Sequence, residues 1–152
     1  MQVVLGKRGD YAIRAVLDVA ERPHTRRKAR EIAERNSIPH RFLSRILADL
    51  VRARILHATA GPSGGYELVE PADQLSLLRV IEAIDGPAAD RECLLHSTPC
   101  NSDNPCAIHH VWIGAEEAML ERLRGTTFAE IAADGGALST SSQLAARLTR
   151  RG

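Results

Sequence analysis

Aromatic residues are scarce in this 152-residue sequence: Phe, Trp and Tyr make up 3% of it, against 44% for all hydrophobic residues. A buried core must therefore be built from Leu, Ile, Val and Ala, and the length suits one domain with an appended element. No apolar run approaches the roughly 20 residues that span a bilayer. Charge begins at Lys7, so a secretory signal peptide is not expected either. We expect a cytoplasmic protein with no membrane partner.

Cysteine is absent outside one short stretch, where Cys93, Cys100 and Cys106 have the spacing C-x6-C-x5-C and His109 follows. An odd number of clustered thiols in a chain without a leader favours metal binding over a disulfide framework. The residues between the cysteines are polar and rich in Pro, Asn and Ser, which favour turns. Such a loop can hold an iron–sulfur cluster, either 2Fe–2S or 4Fe–4S, or zinc bound by three Cys and one His. The spacing alone leaves these alternatives open.

The signatures of catalysis are also missing. The sequence has no C-x-x-C redox pair and no glycine-rich phosphate loop after a strand. It has no pair of acids in a pocket-like context that would serve general acid–base chemistry. The sequence therefore predicts that the protein is not an enzyme.

Net charge is also small, at +1, but its distribution is uneven. The stretch from Arg22 to Arg54 holds ten basic and three acidic residues, whereas Gly65 to Cys93 holds seven acidic and two basic ones. A basic half beside an acidic half points to a polyanionic partner.

The basic half has the pattern of a helix-turn-helix. Apolar periodicity predicts helices over Asp10–Glu21, Lys28–Arg35 and Pro39–Ala53, with a tight turn at Asn36–Pro39. The predicted buried stripe of the third helix is Phe42, Leu43, Ile46, Leu47 and Leu50. A brace helix, a short turn and a helix with a basic outer face are typical of proteins that read the major groove of double-stranded DNA.

A predicted hairpin follows the third helix. Ile55–Ala60 and Tyr66–Val69 have strand character, and the glycine-rich segment Gly61–Gly65 between them is a turn signal. A hairpin in this place is a wing, which can approach the phosphate backbone or the minor groove. The sequence-predicted DNA contacts are Arg26, Arg27, Lys28, His40, Arg41, Ser44, Arg45, Ser63 and Gly64.

Three more helices are predicted over Leu75–Ile84, Ala107–Arg124 and Phe128–Ala133, with Ser76 capping the first and Thr127–Glu130 forming a capping box for the last. The long helix carries one broad apolar face: Ile108, Val111, Trp112, Ala115, Ala118, Met119 and Leu123. A small winged domain cannot cover that face, so we expect a homodimer, which also matches pseudo-palindromic operators.

The predicted fold class is mainly α with a small β-hairpin, namely a winged helix-turn-helix followed by a long dimerisation helix. The predicted domains are a DNA-binding domain over 1–86, a cysteine loop over 87–106, a dimerisation helix with a short last helix over 107–134, and a flexible tail over 135–152.

Four groups of residues together resemble a known family. They are Gly9-Asp10-Tyr11-Ala12, the wing sequence Gly61-Pro62-x-Gly64-Gly65-Tyr66, Ile84-Asp85-Gly86 and the cysteine array with His109. With these motifs the chain resembles the winged-helix iron–sulfur regulators of the IscR and NsrR type, the Rrf2 family, over about Met1–Ala133. It departs from the family pattern in the six-residue first cysteine gap and in Ala60, where many relatives have Arg before the first wing glycine.

The resemblance implies a homodimeric transcriptional regulator, usually a repressor, with an iron–sulfur cluster in each cysteine loop. It implies that operator binding depends on the state of the cluster and so on redox conditions, iron supply or nitric oxide. Cys93, Cys100 and Cys106 would be ligands. The fourth ligand would be His109, as in the IscR type, or Asp10 supplied by the partner subunit, as in the NsrR type.

Overall fold

The computed structural model describes residues 6–87 and 103–134. Its elements in chain order are α1 (Lys7–Ala20), α2 (Ala29–Asn36), α3 (His40–Arg52), β1 (Leu56–Thr59), β2 (Gly65–Leu68), α4 (Leu77–Asp85), α5 (His109–Gly125) and α6 (Phe128–Ala133). The predicted fold class, mainly helical with one antiparallel hairpin, is confirmed. Cys93, Cys100 and the predicted tail over 135–152 lie outside the described residues.

Helix α1 is the centre of the core. Every residue from Ala12 to Ala20 is buried, and α1 packs against α2, α3, α4, α6 and β2. The core is aliphatic, as the sequence predicted, and Phe128 of α6 is the one aromatic side chain fully buried in the described part of the chain. Burial of Val16, Leu47 and Val80 to 0% exposure supplies the apolar contacts that hold these helices together.

The turn between α2 and α3 is closed by backbone contacts. Ser37 adopts a left-handed conformation at φ 53°, and Ile38 N–H donates to the Ala33 carbonyl at 3.0 Å. This arrangement satisfies a carbonyl at the end of α2 and reverses the chain direction. Pro39 then precedes the first residue of α3 and cannot extend α2.

The predicted buried stripe of α3 needs one correction. Leu43, Ile46, Leu47 and Leu50 are all buried, but Phe42 is 43% exposed. Phe42 lies about 100° around the helix from Leu43, which carries its ring past the edge of the apolar face.

The hairpin pairs β1 with β2 in the register Leu56↔Leu68, His57↔Glu67, Ala58↔Tyr66 and Thr59↔Gly65. A third segment joins it: Tyr66 N–H donates to the Arg27 carbonyl at 2.8 Å, and Arg27 N–H donates to the Tyr66 carbonyl at 2.9 Å. Gly65 sits at this junction with φ +142°, and a Cβ there would lie 2.7 Å from the Arg27 carbonyl oxygen. The junction therefore requires glycine on steric grounds.

The C-terminal helices are anchored to the start of α4. Ser76 accepts a hydrogen bond from Arg79 N–H at 3.3 Å and caps α4, as predicted. Leu77 N–H donates to the Thr126 carbonyl at 2.8 Å, and Phe128 N–H donates to the Leu75 carbonyl at 3.0 Å. The turn between α5 and α6 is thereby fixed to the winged domain.

Helix α6 has the predicted boundaries and the predicted capping box. Thr127 Oγ1 accepts from Glu130 N–H at 3.3 Å, and Glu130 Oε2 accepts from Thr127 N–H at 2.8 Å. These two bonds satisfy two backbone donors that helix geometry leaves open at the start of α6.

Helix α5 has three faces rather than the one broad apolar face predicted. A half-buried face contains Trp112, Ile113, Leu120 and Leu123, and α5 packs against α4. A polar face, exposed to solvent, contains His110, Glu117, Glu121 and Arg124. A third face is apolar yet exposed in the protomer: Val111, Ala115, Ala118 and Met119. The predicted stripe therefore combined residues of two different faces. Within the described residues, no helix is long and apolar enough to cross a membrane.

Candidate DNA interface and ligand-bearing turn

The outer surface of α3 is a basic strip. His40, Arg41, Ser44, Arg45 and Arg52 are all exposed on the side of the helix away from the core. Arg45 makes no ion pair or hydrogen bond with any residue in 6–87 or 103–134, so its guanidinium is available to an external acceptor. The Ser44 hydroxyl donates to the His40 carbonyl of its own helix at 3.0 Å.

Arg41 and Phe42 form an exposed pair at the beginning of α3. The Arg41 guanidinium carbon lies 4.9 Å from the centre of the Phe42 ring, within the range of a cation–π contact. The sequence pattern predicts a DNA contact for Arg41 but a core position for Phe42, which the exposure of the Phe42 ring contradicts. The signal that could have separated them is that Phe42 flanks the stripe formed by Leu43, Ile46, Leu47 and Leu50.

Helix α3 is also held by α1 through a charged contact that the sequence did not predict. Arg8 Nη2 lies 3.0 Å from Asp49 Oδ2, and Arg52 Nη1 lies 2.8 Å from Asp49 Oδ1. Asp49 thus joins a cation of α1 to a cation of α3 at the solvent boundary. Nothing in the local sequence pattern links positions 8 and 49.

The three predicted DNA contacts in the chain before α2 have different surroundings. Lys28 is exposed, and its backbone N–H donates to Glu31 Oε2 at 3.1 Å, which caps α2 and leaves the ammonium outside. Arg26 is exposed, and its Nε lies 3.4 Å from Glu67 Oε1 of the hairpin. Both remain compatible with a phosphate contact.

Arg27 requires a correction. It is 6% exposed, and its Nη2 lies 3.1 Å from Asp18 Oδ1 inside the protein. Because the hairpin pairing turns its side chain inward, Arg27 holds the wing to α1 and is not presented to DNA.

The wing tip also differs from expectation at one residue. Ser63 is exposed at the turn, as a DNA contact requires, but Gly64 is buried. Gly64 N–H donates to the Gly61 carbonyl at 3.0 Å, and a Cβ on Gly64 would lie 2.1 Å from the Thr59 carbonyl oxygen. Gly64 therefore closes the turn, and Ser63 is the tip residue that faces outward.

Cys106 and His109 occupy one turn at the beginning of α5. His109 N–H donates to the Cys106 carbonyl at 3.0 Å, so the two side chains belong to the same turn of backbone. Cys106 is partly exposed, whereas His109 is 9% exposed. His110 is exposed, and its ring meets the His109 ring edge-on at 5.3 Å between centroids. Of the two histidines, only His109 is turned toward the protein.

The chemistry of this turn fits a thiolate-bound metal group. A soft thiolate and an imidazole suit an iron–sulfur cluster or zinc. Within 6–87 and 103–134 no group of three or more His, Cys, Asp or Glu residues could hold a metal, and two of the predicted ligands lie outside these ranges.

Asp10, the alternative fourth ligand, lies in the first turn of α1. Its Oδ1 accepts a hydrogen bond from Arg14 Nε at 2.9 Å, and its side chain is 40% exposed while that of Arg14 is 8% exposed. The carboxylate is therefore accessible from outside the protomer, although its Oδ1 already forms an ion pair with Arg14.

Comparisons with known proteins place the chain in a family. The profile of the Rrf2 family, described as iron-dependent transcriptional regulators, matches residues 5–134. A protein of Mycobacterium tuberculosis named as an HTH-type transcriptional regulator is 34% identical over 136 residues, which cover 88% of this chain and 83% of that one. The HTH-type transcriptional regulator IscR of Erwinia tasmaniensis is 30% identical over 128 residues, covering 84% and 77%.

The fold is shared with a solved structure as well. CymR, the global cysteine regulator of Bacillus subtilis, superposes with a TM-score of 0.76 at 22% identity over 87% of this chain and 98% of CymR. Family members are transcriptional regulators and not enzymes, which confirms the sequence prediction on that point. The basic helix α3, which serves as the recognition helix, and the hairpin wing are consistent with the family match. The chain belongs to the Rrf2 family of DNA-binding transcriptional regulators.

Proposed function

We propose that this protein is a homodimeric repressor that controls operator binding through an iron–sulfur cluster held by Cys93, Cys100, Cys106 and a fourth ligand, His109 or Asp10. The observation that carries the proposal is the position of Cys106 and His109 on one turn at the beginning of α5. That helix contacts the winged domain through α4 and exposes an apolar face to the outside. A ligand site at its first turn is therefore connected to both DNA reading and assembly.

The exposed apolar face of α5 supports the homodimer. Val111 is 77% exposed and Met119 is 39% exposed, and Ala115 and Ala118 lie between them on the same side. Exposed apolar residues in a row along a helix gain free energy when a second surface removes them from water. The small alanines allow close approach of an identical helix, and a two-fold symmetric pair would present two recognition helices to a pseudo-palindromic duplex.

The fixed end of α5 supports a mechanical link. The bonds between Leu77 and Thr126 and between Phe128 and Leu75 hold its C-terminal end to the winged domain. Its N-terminal end, about 25 Å away at 1.5 Å per residue, carries the ligand turn. A change in the ligation of Cys106 and His109 would tilt α5 about its fixed end. In a dimer joined through α5, such a tilt alters the spacing of the two recognition helices and so the operator affinity.

When bound, the cluster would supply sensitivity to redox state, iron supply or nitric oxide. The chain's own residues hold it in a site whose donor set also determines its type. Three Cys with His109 raise the potential of a 2Fe–2S cluster relative to four cysteines. Asp10 from a partner would be a weaker fourth ligand and would have to leave its contact with Arg14, or share it.

A zinc site is the alternative, since a Cys-x-x-His turn provides donors that structural zinc sites also use. Protein purified without oxygen discriminates the two: a coloured, iron-containing sample supports a cluster, and a colourless, zinc-containing sample supports structural zinc.

The decisive test of the switch is a gel-shift titration of a selected palindromic duplex with protein in the loaded state and after chelation. We expect the two states to differ in affinity by at least about fivefold, the lower end of typical allosteric couplings. Equal affinities would overturn the sensing function while leaving DNA binding intact. Absence of binding in both states would contradict the DNA-binding function itself.

A further inference from the structure

Phe42 is an apolar side chain on a surface that is otherwise basic. It lies in the first turn of α3, is 43% exposed, and has the exposed residues His40, Arg41 and Arg45 around it. Phe carries no hydrogen-bond donor or charge, so it gains nothing from phosphate oxygens. Apart from its contact with the Arg41 guanidinium, an exposed ring in this place gains free energy from contact with another apolar group.

One base in the major groove offers an apolar group at its edge. Thymine presents its C5-methyl there, and Phe is among the side chains able to contact it. The N-terminal residues of a recognition helix are those that reach base edges in the helix-turn-helix docking geometry. Phe42 is the third residue of α3 and satisfies that condition.

Arg41 lies beside Phe42 and could contact a second base. Its guanidinium carbon lies 4.9 Å from the centre of the Phe42 ring, so the ring restricts the orientation of the guanidinium before DNA is present. A guanidinium whose position is already restricted loses less freedom when it donates two bonds to guanine O6 and N7. The pair is therefore suited to a thymine next to a guanine.

We propose that Phe42 is a specificity-determining residue that contacts a thymine methyl in the operator, while Arg41, stacked on its ring, reads a neighbouring guanine. This inference rests on the proposed DNA-reading function and adds the base step that it recognises. It is independent of the fourth ligand and of the type of metal group.

The test begins with full-length protein, in both the loaded and the chelated state, used to enrich binding sites from random duplexes. Each thymine of the enriched site is then replaced in turn by deoxyuridine, which removes only the C5-methyl group. Affinities are measured for wild type, Phe42→Ala, Phe42→Leu and the control Val69→Ala, which truncates a side chain that is 54% exposed beyond the hairpin. Thermal unfolding checks that the variants fold.

We expect one thymine per half-site at which deoxyuridine weakens wild type about fourfold, which corresponds to about 0.8 kcal/mol for one buried carbon group. That loss should shrink below about twofold in Phe42→Ala, persist in Val69→Ala and be partly retained in Phe42→Leu. Replacing the neighbouring guanine by 7-deazaguanine should weaken wild type but not Arg41→Ala.

Three outcomes would overturn the inference. The first is an enriched site at which deoxyuridine has no effect, and the second is the same deoxyuridine loss in wild type and Phe42→Ala. Both leave the DNA-reading function standing. The third is the absence of any enriched sequence with wild type, which would overturn the DNA-reading function and this inference together.

Discussion

Asp18 and Arg27 form a charged contact inside the protein, with 3.1 Å between Oδ1 and Nη2 and side-chain exposures of 3% and 7%. Their angles fall outside those of a hydrogen bond, so the contact is mainly electrostatic. Asp18 Oδ2 also accepts from Asn36 Nδ2 at 3.0 Å, and Arg35 Nη1 lies 3.5 Å from Oδ1. The Asp18 carboxylate therefore connects α1 to the end of α2 and to Arg27, the residue that pairs with Tyr66 of the wing.

Asp18→Ala should lower the free energy of unfolding by about 3 to 5 kcal/mol, because it leaves the Arg27 charge buried without its carboxylate. Urea denaturation measures the change. The control is Glu21→Ala: the Glu21 carboxylate, 43% exposed, lies 3.3 Å from Arg35, and an exposed pair contributes less than about 1 kcal/mol. Equal losses in the two variants would show that burial does not set the strength of the Asp18 contact.

Gly65→Ala should detach the hairpin from the Arg27 segment. The new Cβ would lie 2.7 Å from the Arg27 carbonyl oxygen, and the φ of +142° adds backbone strain. The matched control is Gly61→Ala, at φ +97° with nothing within 4 Å of the new Cβ. We expect a stability loss larger by about 1 to 3 kcal/mol in Gly65→Ala, since overpacking costs of this size accompany a steric clash. A similar loss in both variants would assign the effect to strain alone.

The sequence predicted those features that depend on neighbouring residues. Thr127 and Glu130 gave α6 its boundaries because a capping box is a contact between residues three apart. Ser76 gave the cap of α4 for the same reason. The glycines of the wing located the hairpin turn because left-handed backbone favours glycine.

The failures at Arg27, Phe42 and α5 depend on how separate elements pack against each other. The basic neighbours of Arg27 predict a DNA contact, yet Tyr66 of β2 and Asp18 of α1 turn its side chain inward. Periodicity predicts a core position for Phe42 because it identifies an apolar face but not where that face ends. For the same reason, the predicted apolar stripe of α5 combines residues of its exposed face with residues that face α4.

Val111→Glu should convert the dimer proposed above into a monomer. Val111 is 77% exposed in the protomer, so the substitution leaves the fold of one chain intact while placing a charge in the apolar face. The matched control is Glu121→Lys, on the polar face of the same helix. Sedimentation velocity should show a monomer for Val111→Glu and a dimer for Glu121→Lys and wild type. A dimer in all three would place the interface elsewhere.

Arg45→Ala tests whether this residue contacts phosphate or a base. Arg45 has no partner among residues 6–87 and 103–134, so its charge is free for DNA. If it contacts phosphate, affinity falls for every duplex and the slope of log K against log salt decreases in magnitude by about 1 per contact. If it reads a base, discrimination at one position is lost at a cost of about 1 to 3 kcal/mol. Arg30→Ala is the control, because Arg30 Nε already lies 2.7 Å from Glu34 Oε1 on α2.

The ligand variants separate the two candidates for the fourth ligand. Cys106→Ala should abolish visible absorption and iron content in anaerobically purified protein, because it removes one of three thiolates. His109→Ala should alter the spectrum if the site follows the Cys-x-x-His turn, whereas Asp10→Asn should leave it unchanged. Asn keeps a hydrogen-bond acceptor for Arg14, whose Nε donates to Asp10 at 2.9 Å, so the variant tests ligation rather than folding.

The reverse result, a spectrum sensitive to Asp10→Asn and insensitive to His109→Ala, would assign the fourth ligand to α1. Mixing Asp10→Asn with Cys106→Ala chains then decides whether Asp10 comes from the same chain or from the partner subunit. The single productive site of a mixed dimer combines wild-type cysteines, supplied by the Asp10→Asn chain, with the wild-type Asp10 of the Cys106→Ala chain. Recovery of the wild-type spectrum at about half intensity in mixed dimers requires ligation across the interface. Its absence means that each chain supplies its own Asp10, since 40% exposure of that side chain permits either arrangement.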